Sequence, residues 1–344
     1  MSSRCRWATA VCAALLLAGC TSTSSPSSSP SLQEGARLSP EARGYLTEAL
    51  DLMQQQSLRR AEVDWKTVRA RAFDQAGTAR TPAETYPAIS GALGALNDHH
   101  SQFVPPDRAA QPGVVDGDNE VVDAPTSRQL PGRIGYLRLP RVNGSDRTYA
   151  EYGRQGRAAV AATDRVGACG WVVDLRDETG GGMWAPLAAA GPILGDGPVG
   201  GFLTPDGKHS VWSIRGGVPY EDDTPQASAE GVSPLAVPDP PVAVLTSRAT
   251  GSAGEAVTLA FIGRPATRSF GGQTYGVPTG NAAHRLSDGA VIVLTGAAET
   301  DRTGRVHDGP IRPDEEVDAP TRKDSDPTLD AATAWLSTQP ACKG

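Results

Sequence analysis

Ala243-Val-Leu-Thr-Ser-Arg-Ala-Thr-Gly-Ser252-Ala253-Gly254-Glu255, running on into Ala-Val-Thr-Leu-Ala-Phe261, is the stretch from which the fold of this 344-residue chain is read. An apolar strand gives way to a turn of small residues, and a helix starts at Ser252. Ala253, Ala256, Val257, Ala260 and Phe261 recur at i, i+3, i+4, the spacing of one helical face. A strand that runs straight into a helix is the repeating unit of an α/β core. The turn also sets a hydroxyl at a helix N-terminus, where unpaired N–H groups and the helix dipole favour developing negative charge. Ser252-x-x-Glu255 therefore reads two ways. It is a capping box, in which each side chain bonds the other's backbone N–H, and it is a place for a nucleophilic serine.

Outward from this stretch the strand–turn–helix alternation continues. Residues 134–139 and 170–175 read as strands, the second followed by Gly180-Gly181-Gly182, and residues 146–162 and 183–193 read as helices. Residues 199–213 are β-rich with a turn at Pro205-Asp206-Gly207, residues 218–236 are polar, and short strands are expected at 268–271 and 291–294. Buried, Val-rich strands alternating with helices argue an α/β core over residues 133–338. Upstream, segments 41–58, 64–76 and 82–96 carry helical periodicity with no strand between them, which predicts a small helical N-terminal subdomain over 37–104. Residues 105–132 are rich in Pro, Gly and Asp and read as a loop with at most one hairpin, far too short for an inserted domain.

The N-terminus is of another kind. Arg4 and Arg6, an apolar run over 8–17, and Leu17-Ala18-Gly19-Cys20 form a bacterial lipoprotein signal, with Cys20 the lipidated residue after cleavage of 1–19. The apolar run is about half the roughly 20 residues needed to span a bilayer. Residues 20–36 then read as the lipidated cysteine and a Ser/Pro-rich tether, placing the protein on the extracytoplasmic face of the cell membrane. The formal net charge is −7, and more negative once the two signal arginines leave, which argues against nucleic acid as a partner. Of five cysteines only Cys169 and Cys342 lie beyond the signal and Cys20. Export permits a disulfide between them, and a buried free thiol at Cys169 fits equally well. No cysteine or histidine spacing suggests a metal site, and no cofactor is implied.

Six motifs stand in a fixed order: Leu96-x-Asp98-x-His100-Ser101, a Gly-Tyr-Leu strand, Trp171-Val-Val-Asp174-Leu175-Arg176-x-x-x-Gly180-Gly181, Gly251-Ser252-Ala253-Gly254-Glu255, Gly271-x-x-Thr274-x-Gly276, and Gly309-x-Ile311-x-Pro313-Asp314. Together they resemble the C-terminal-processing, or tail-specific, serine peptidases. The resemblance implies a crotonase/ClpP-like α/β core of repeated strand-strand-helix units behind a helical subdomain. It implies Ser252 as nucleophile, with Ala253 and the Gly180-Gly181 turn as oxyanion donors, a role that backbone N–H groups at a glycine turn suit physically.

One branch of that family carries a lysine base one residue after the glycine of Gly-x-x-Thr-x-Gly. Here that residue is Val277, and none of the chain's four lysines lies near it. The branch resembling the tricorn protease core and interphotoreceptor retinoid-binding protein carries a histidine where His100 stands, and a neutral imidazole can take a serine proton near neutral pH. This chain departs from that branch in two places. His99 stands where the branch has serine, and Arg305-Val-His307-Asp308 stands where it has a glutamate. Asp98, Glu255 and Asp308 remain the candidates for the acid that orients His100. There is no room for a PDZ-type module between Phe103 and Gly132. The expectation is a membrane-anchored serine peptidase acting on a peptide or protein substrate. The alternative is a binding lipoprotein that keeps the fold without turnover.

Overall fold

The structure, a computed structural model, describes residues 37–111, 121–318, 322 and 324–343. The signal, Cys20 and the Ser/Pro-rich tether lie outside the described residues.

Two sheets organise the chain. In the first, strands run in the order Glu315–Glu316, Thr267–Gly271, Val242–Thr246, Gly170–Asp174, Ile134–Arg138, Thr126–Leu130. All neighbours are parallel except the last pair. Every residue of Val242–Thr246 and Gly170–Asp174 is buried, as parallel strands covered on both faces require. One face packs Trp171, Val173, Val242 and Val244 against helices Asp146–Asp164, Trp184–Leu194 and Ala253–Phe261. The other packs Val172, Ala243, Leu245 and Phe270 against Ala332 and Leu336 of the C-terminal helix Pro327–Ser337. Cys169 and Cys342 form a disulfide that ties the end of the chain to this face, which resolves the two readings left open by the sequence.

The second sheet is antiparallel, in the order Gln102–Val104, Val291–Thr300, Gly197–Leu203, His209–Arg215, Val218–Glu221, Thr224–Pro225, with Thr279–Arg285 also paired to Val291–Thr300. The N-terminal helices Pro40–Gln56, Trp65–Ala76 and Tyr86–Gly94 fall where periodicity put them. Ser39 and Asp64 cap the first two through their side chains. Their apolar faces share one core with Leu286, Ala290, Ile292 and Leu294, so the helical segment is built onto the second sheet.

Three differences from the sequence reading are physical. Residues 126–130, read as loop, form an edge strand on which only Leu130 is buried, so no apolar alternation marks it. Thr279–Arg285 is a strand of small and polar residues, again without that signal. The strand expected at 291–294 runs on to Thr300, because the Thr279–Arg285 and Gly197–Leu203 strands pair with its far end.

Candidate active site

Ser252 sits between the Val242–Thr246 strand and the Ala253–Phe261 helix with φ +51° and ψ −111°, a backbone region that non-glycine residues rarely occupy. Such a conformation persists only where its surroundings over-determine it, and here they do. Glu255, fully buried, accepts four hydrogen bonds. Ser252 N–H (2.9 Å) and Val277 N–H (2.9 Å) donate to Oε2, while Thr274 Oγ1–H (2.5 Å) and Gly276 N–H (2.8 Å) donate to Oε1. Burial pushes its pKa up and the four donors pull against that shift. Thr250, at the position where a Gly-x-Ser-x-Gly elbow would need glycine, instead donates its hydroxyl to the Leu175 carbonyl at 2.9 Å. Gly251 N–H donates to the Glu178 carbonyl at 3.1 Å. The Ser252 turn and the glycine turn are thereby tied together.

The capping box read from Ser252-x-x-Glu255 is in place, with Ser252 N–H donating to Glu255 and the Ser252 side chain turned to the Glu255 N–H. Glu255 N–H, which the Ser252 side chain faces in that box, also donates to the Ser252 carbonyl at 2.8 Å. Ser252 stands on a cavity of about 420 Å³ lined also by His100, Thr179, Arg248, Ala249, Gly251, Tyr275 and Val277.

The two glycines differ. Gly180 N–H donates to Glu178 Oε2 at 3.2 Å. Gly181, at φ +124°, passes so close to Val142 that a Cβ would lie 1.9 Å from the Val142 carbonyl oxygen, so glycine is required there. Among the described residues neither Gly181 N–H nor Ala253 N–H donates a hydrogen bond within the protein. These two amides are the ones left for an oxyanion. Glu178 itself is fully buried, its Oε1 has no partner, and burial pushes its pKa up to about 8 against the opposing pull of Gly180 N–H and Arg141. Sequence reasoning passed over it, although an acidic residue two positions before a glycine turn was there to be noticed.

His100 comes from the other sheet, just before the Gln102–Val104 strand. Asn97 and His99 both have positive φ, 53° and 54°. Asp98 holds the loop by accepting from the backbone N–H groups of His100 (3.0 Å) and Ser101 (2.8 Å) and from the Ser101 hydroxyl (2.7 Å). It does not touch the imidazole. Nor do the other two acids: Glu255 spends itself on the elbow, and Asp308 pairs with Arg59 at 2.8 Å beside a separate cavity of about 600 Å³ near the far end of the Ala253–Phe261 helix. The ring is held by Thr279, whose Oγ1 lies 2.8 Å from Nδ1, and by Asn281, whose Nδ2 lies 3.0 Å from Nε2. Burial lowers the His100 pKa and the charge of Asp98 opposes that. His99 lines a different surface cleft, with Ser90 and Phe103. Asp174 and Arg176 are structural. Arg176 bridges Asp174 (2.6 Å) and Asp326 (2.8 Å), joining the first sheet to the C-terminal helix.

A hydroxyl at a strained strand-to-helix turn, an imidazole lining the same cavity, the unpaired amide of Ala253 next in the chain and a glycine turn whose Gly180 lies against Ser252 make up the components of an acyl-transfer site. The model of peptidase family S41 matches residues 133–317, more than half of the chain, and the chain belongs to that family. It is 23% identical over 282 residues to the nisin-resistance protein of Lactococcus lactis subsp. lactis, covering 80% of this chain and 83% of that one. It is 27% identical over 203 residues to a carboxyl-terminal-processing protease of Synechocystis sp., covering 57% of this chain and 42% of that one, so it spans less than half of that protease. Among solved structures, a lipoprotein from Streptococcus agalactiae superposes with a TM-score of 0.69 at 22% identity, covering 88% of this chain and 98% of that one. The photosystem II D1 C-terminal processing protease superposes with a TM-score of 0.60 at 17% identity, covering 87% and 98%. These likenesses establish the S41 peptidase fold with an N-terminal helical region.

Proposed function

We propose that this S41 protein is a serine-type peptidase in which Ser252 is the nucleophile and His100 the base, held on the extracytoplasmic face of the membrane by lipid on Cys20. The observation that carries the reading is Ser252 on strained backbone, lining one cavity with His100. Ser252 Oγ attacks the substrate carbonyl carbon as its proton passes to His100 Nε2. The oxyanion faces the N–H groups of Ala253 and Gly181. The imidazolium then gives its proton to the leaving amine as the C–N bond breaks, and water hydrolyses the acyl-enzyme by the same path.

The L. lactis relative is named for resistance to nisin. Nisin is therefore the first substrate to try here. A fluorophosphonate should label the pure protein, with labelling lost by at least about 10³-fold in Ser252→Ala and strongly reduced in His100→Ala. Equal labelling of Ser252→Ala and wild type would sink the proposal.

A second reading, a ligand-binding protein without turnover, draws on one observation: the hydrogen bonds of His100 run to Thr279 and Asn281, not to Ser252. It requires that no serine reagent reacts at Ser252.

A further inference from the structure

One strand engages both ring nitrogens of His100. An amide –NH₂ only donates, so with Asn281 Nδ2 at 3.0 Å the Nε2 atom is the acceptor. The neutral ring then carries its proton on Nδ1, which donates to Thr279 Oγ1 at 2.8 Å. This is the tautomer a base acting through Nε2 needs, yet the basic lone pair is already occupied. The clamp is a product of the strand. Thr279 and Asn281 are two apart, so their side chains leave the same face. The register against Val291–Thr300 slips between Gly280 and Asn281, where Gly280 faces Ala297 and Asn281 faces Thr295. Irregularities of this kind bend a strand and re-aim a side chain beside an active site.

Asn281 also stands on the wall of a second cleft, of about 330 Å³, with Phe202, Lys208, Ser210 and Gly296. Its amide therefore has two places to go: the imidazole, or an acceptor lying in that cleft. Other titratable or charged groups around the ring are Asp98 on its own loop, Arg248 and Tyr275 across the cavity, and Glu255 behind Val277. None of these caps Nε2.

We propose that Asn281 is a positioning residue for His100. It keeps the imidazole in the competent tautomer with Nε2 capped at rest. A backbone carbonyl of a peptide lying in the adjoining cleft draws the amide away and frees Nε2 for the Ser252 hydroxyl. The cleft is thus the part of the substrate site that reports occupancy to the base. This inference rests on the Ser252/His100 reading, and its test separates the two.

The full mature chain, labelled with ¹⁵N-histidine, is compared as wild type, Asn281→Ala and Asn281→Asp. Nuclear magnetic resonance of His100 should show Nδ1 protonated and Nε2 bare in wild type. Its titration midpoint should rise in Asn281→Ala, which loses a donor favouring the neutral ring, and rise further in Asn281→Asp, where a carboxylate favours the imidazolium. Fluorophosphonate labelling of Ser252 above that midpoint should run about two- to tenfold faster in Asn281→Ala than in wild type, the equivalent of one neutral hydrogen bond. It should run slower in Asn281→Asp. A His100 titration unmoved in Asn281→Ala, with labelling no faster, overturns the proposal. If wild type does not label at all, the nucleophile reading has failed, and the resonance data alone decide on the cap: an Nε2-protonated ring in wild type overturns it.

Discussion

The turn at Ser252 and the loop at His100 supply the two halves of one proposed reaction and are built by opposite means. The serine turn is pinned from within the parallel sheet. Glu255 gathers four donors, Thr250 reaches the Leu175 carbonyl, Gly251 reaches the Glu178 carbonyl, and every residue of the Ala253–Phe261 helix is buried. The histidine arrives on a loop with two left-handed residues and is held by two side-chain bonds from a strand whose own side chains are half-buried or exposed. Ser252 is fixed by the core, whereas His100 is set by two side-chain contacts from a half-exposed strand.

Substitutions that strike one half and spare the other put this contrast to work. Glu255→Ala should give the largest effect on folding. It strands four donors, two of them buried, costing about 3–5 kcal/mol in denaturant unfolding and lowering labelling at Ser252 in step. If stability held while labelling fell, the carboxylate would belong to the chemistry and not to the elbow.

Glu178→Gln tests the elbow by pH. The Glu178 carboxyl has its ordinary value near 4.5 in the unfolded chain and about 8 when buried. The folded state therefore binds the extra proton between those values, and wild type loses stability relative to Glu178→Gln as pH rises through that window. The loss should approach about 1.4 kcal/mol per pH unit and level off above pH 8. Parallel stability curves from pH 5 to 8 would show that Glu178 ionises freely.

Thr279→Val should give the smallest effect, confined to the base. Nδ1–H loses its acceptor, labelling slows by about tenfold or less, and unfolding free energy changes by about 1 kcal/mol. With His100 as the base, the acid limb of the rate profile should be displaced downward from the ordinary imidazole range, because burial disfavours the imidazolium. It should move lower still in the variant. A limb that moved upward would mean that Thr279 donates to Nδ1, the reverse tautomer.

The same contrast explains what could be read from the chain in advance. The strand, turn and helix around Ser252 announce themselves because burial on both faces forces a run of apolar residues and a small-residue turn. The three N-terminal helices do so by periodicity and caps. Thr279-Gly-Asn281 begins only two residues past Val277, the position without a lysine, but small polar residues on a half-exposed strand leave no pattern. The orienting acids expected at Asp98, Glu255 and Asp308 were carboxylates in the right neighbourhood by sequence, and each is spent on backbone, elbow or Arg59. Which atom faces the imidazole depends on a register slip that no local sequence rule specifies. The Cys169–Cys342 pairing, 173 residues apart, depends likewise on where the C-terminal helix docks.

A crystal structure of the protein after reaction with a fluorophosphonate tests the pairing of Ser252 with His100 most directly. Phosphorus should be bonded to Ser252 Oγ, with the phosphoryl oxygen about 2.7–3.1 Å from the N–H groups of Ala253 and Gly181. His100 Nε2 should have turned from Asn281 toward the adduct. An adduct on another residue, or one on Ser252 with its oxygen facing away from both amides and His100 still bonded to Asn281, would contradict that pairing.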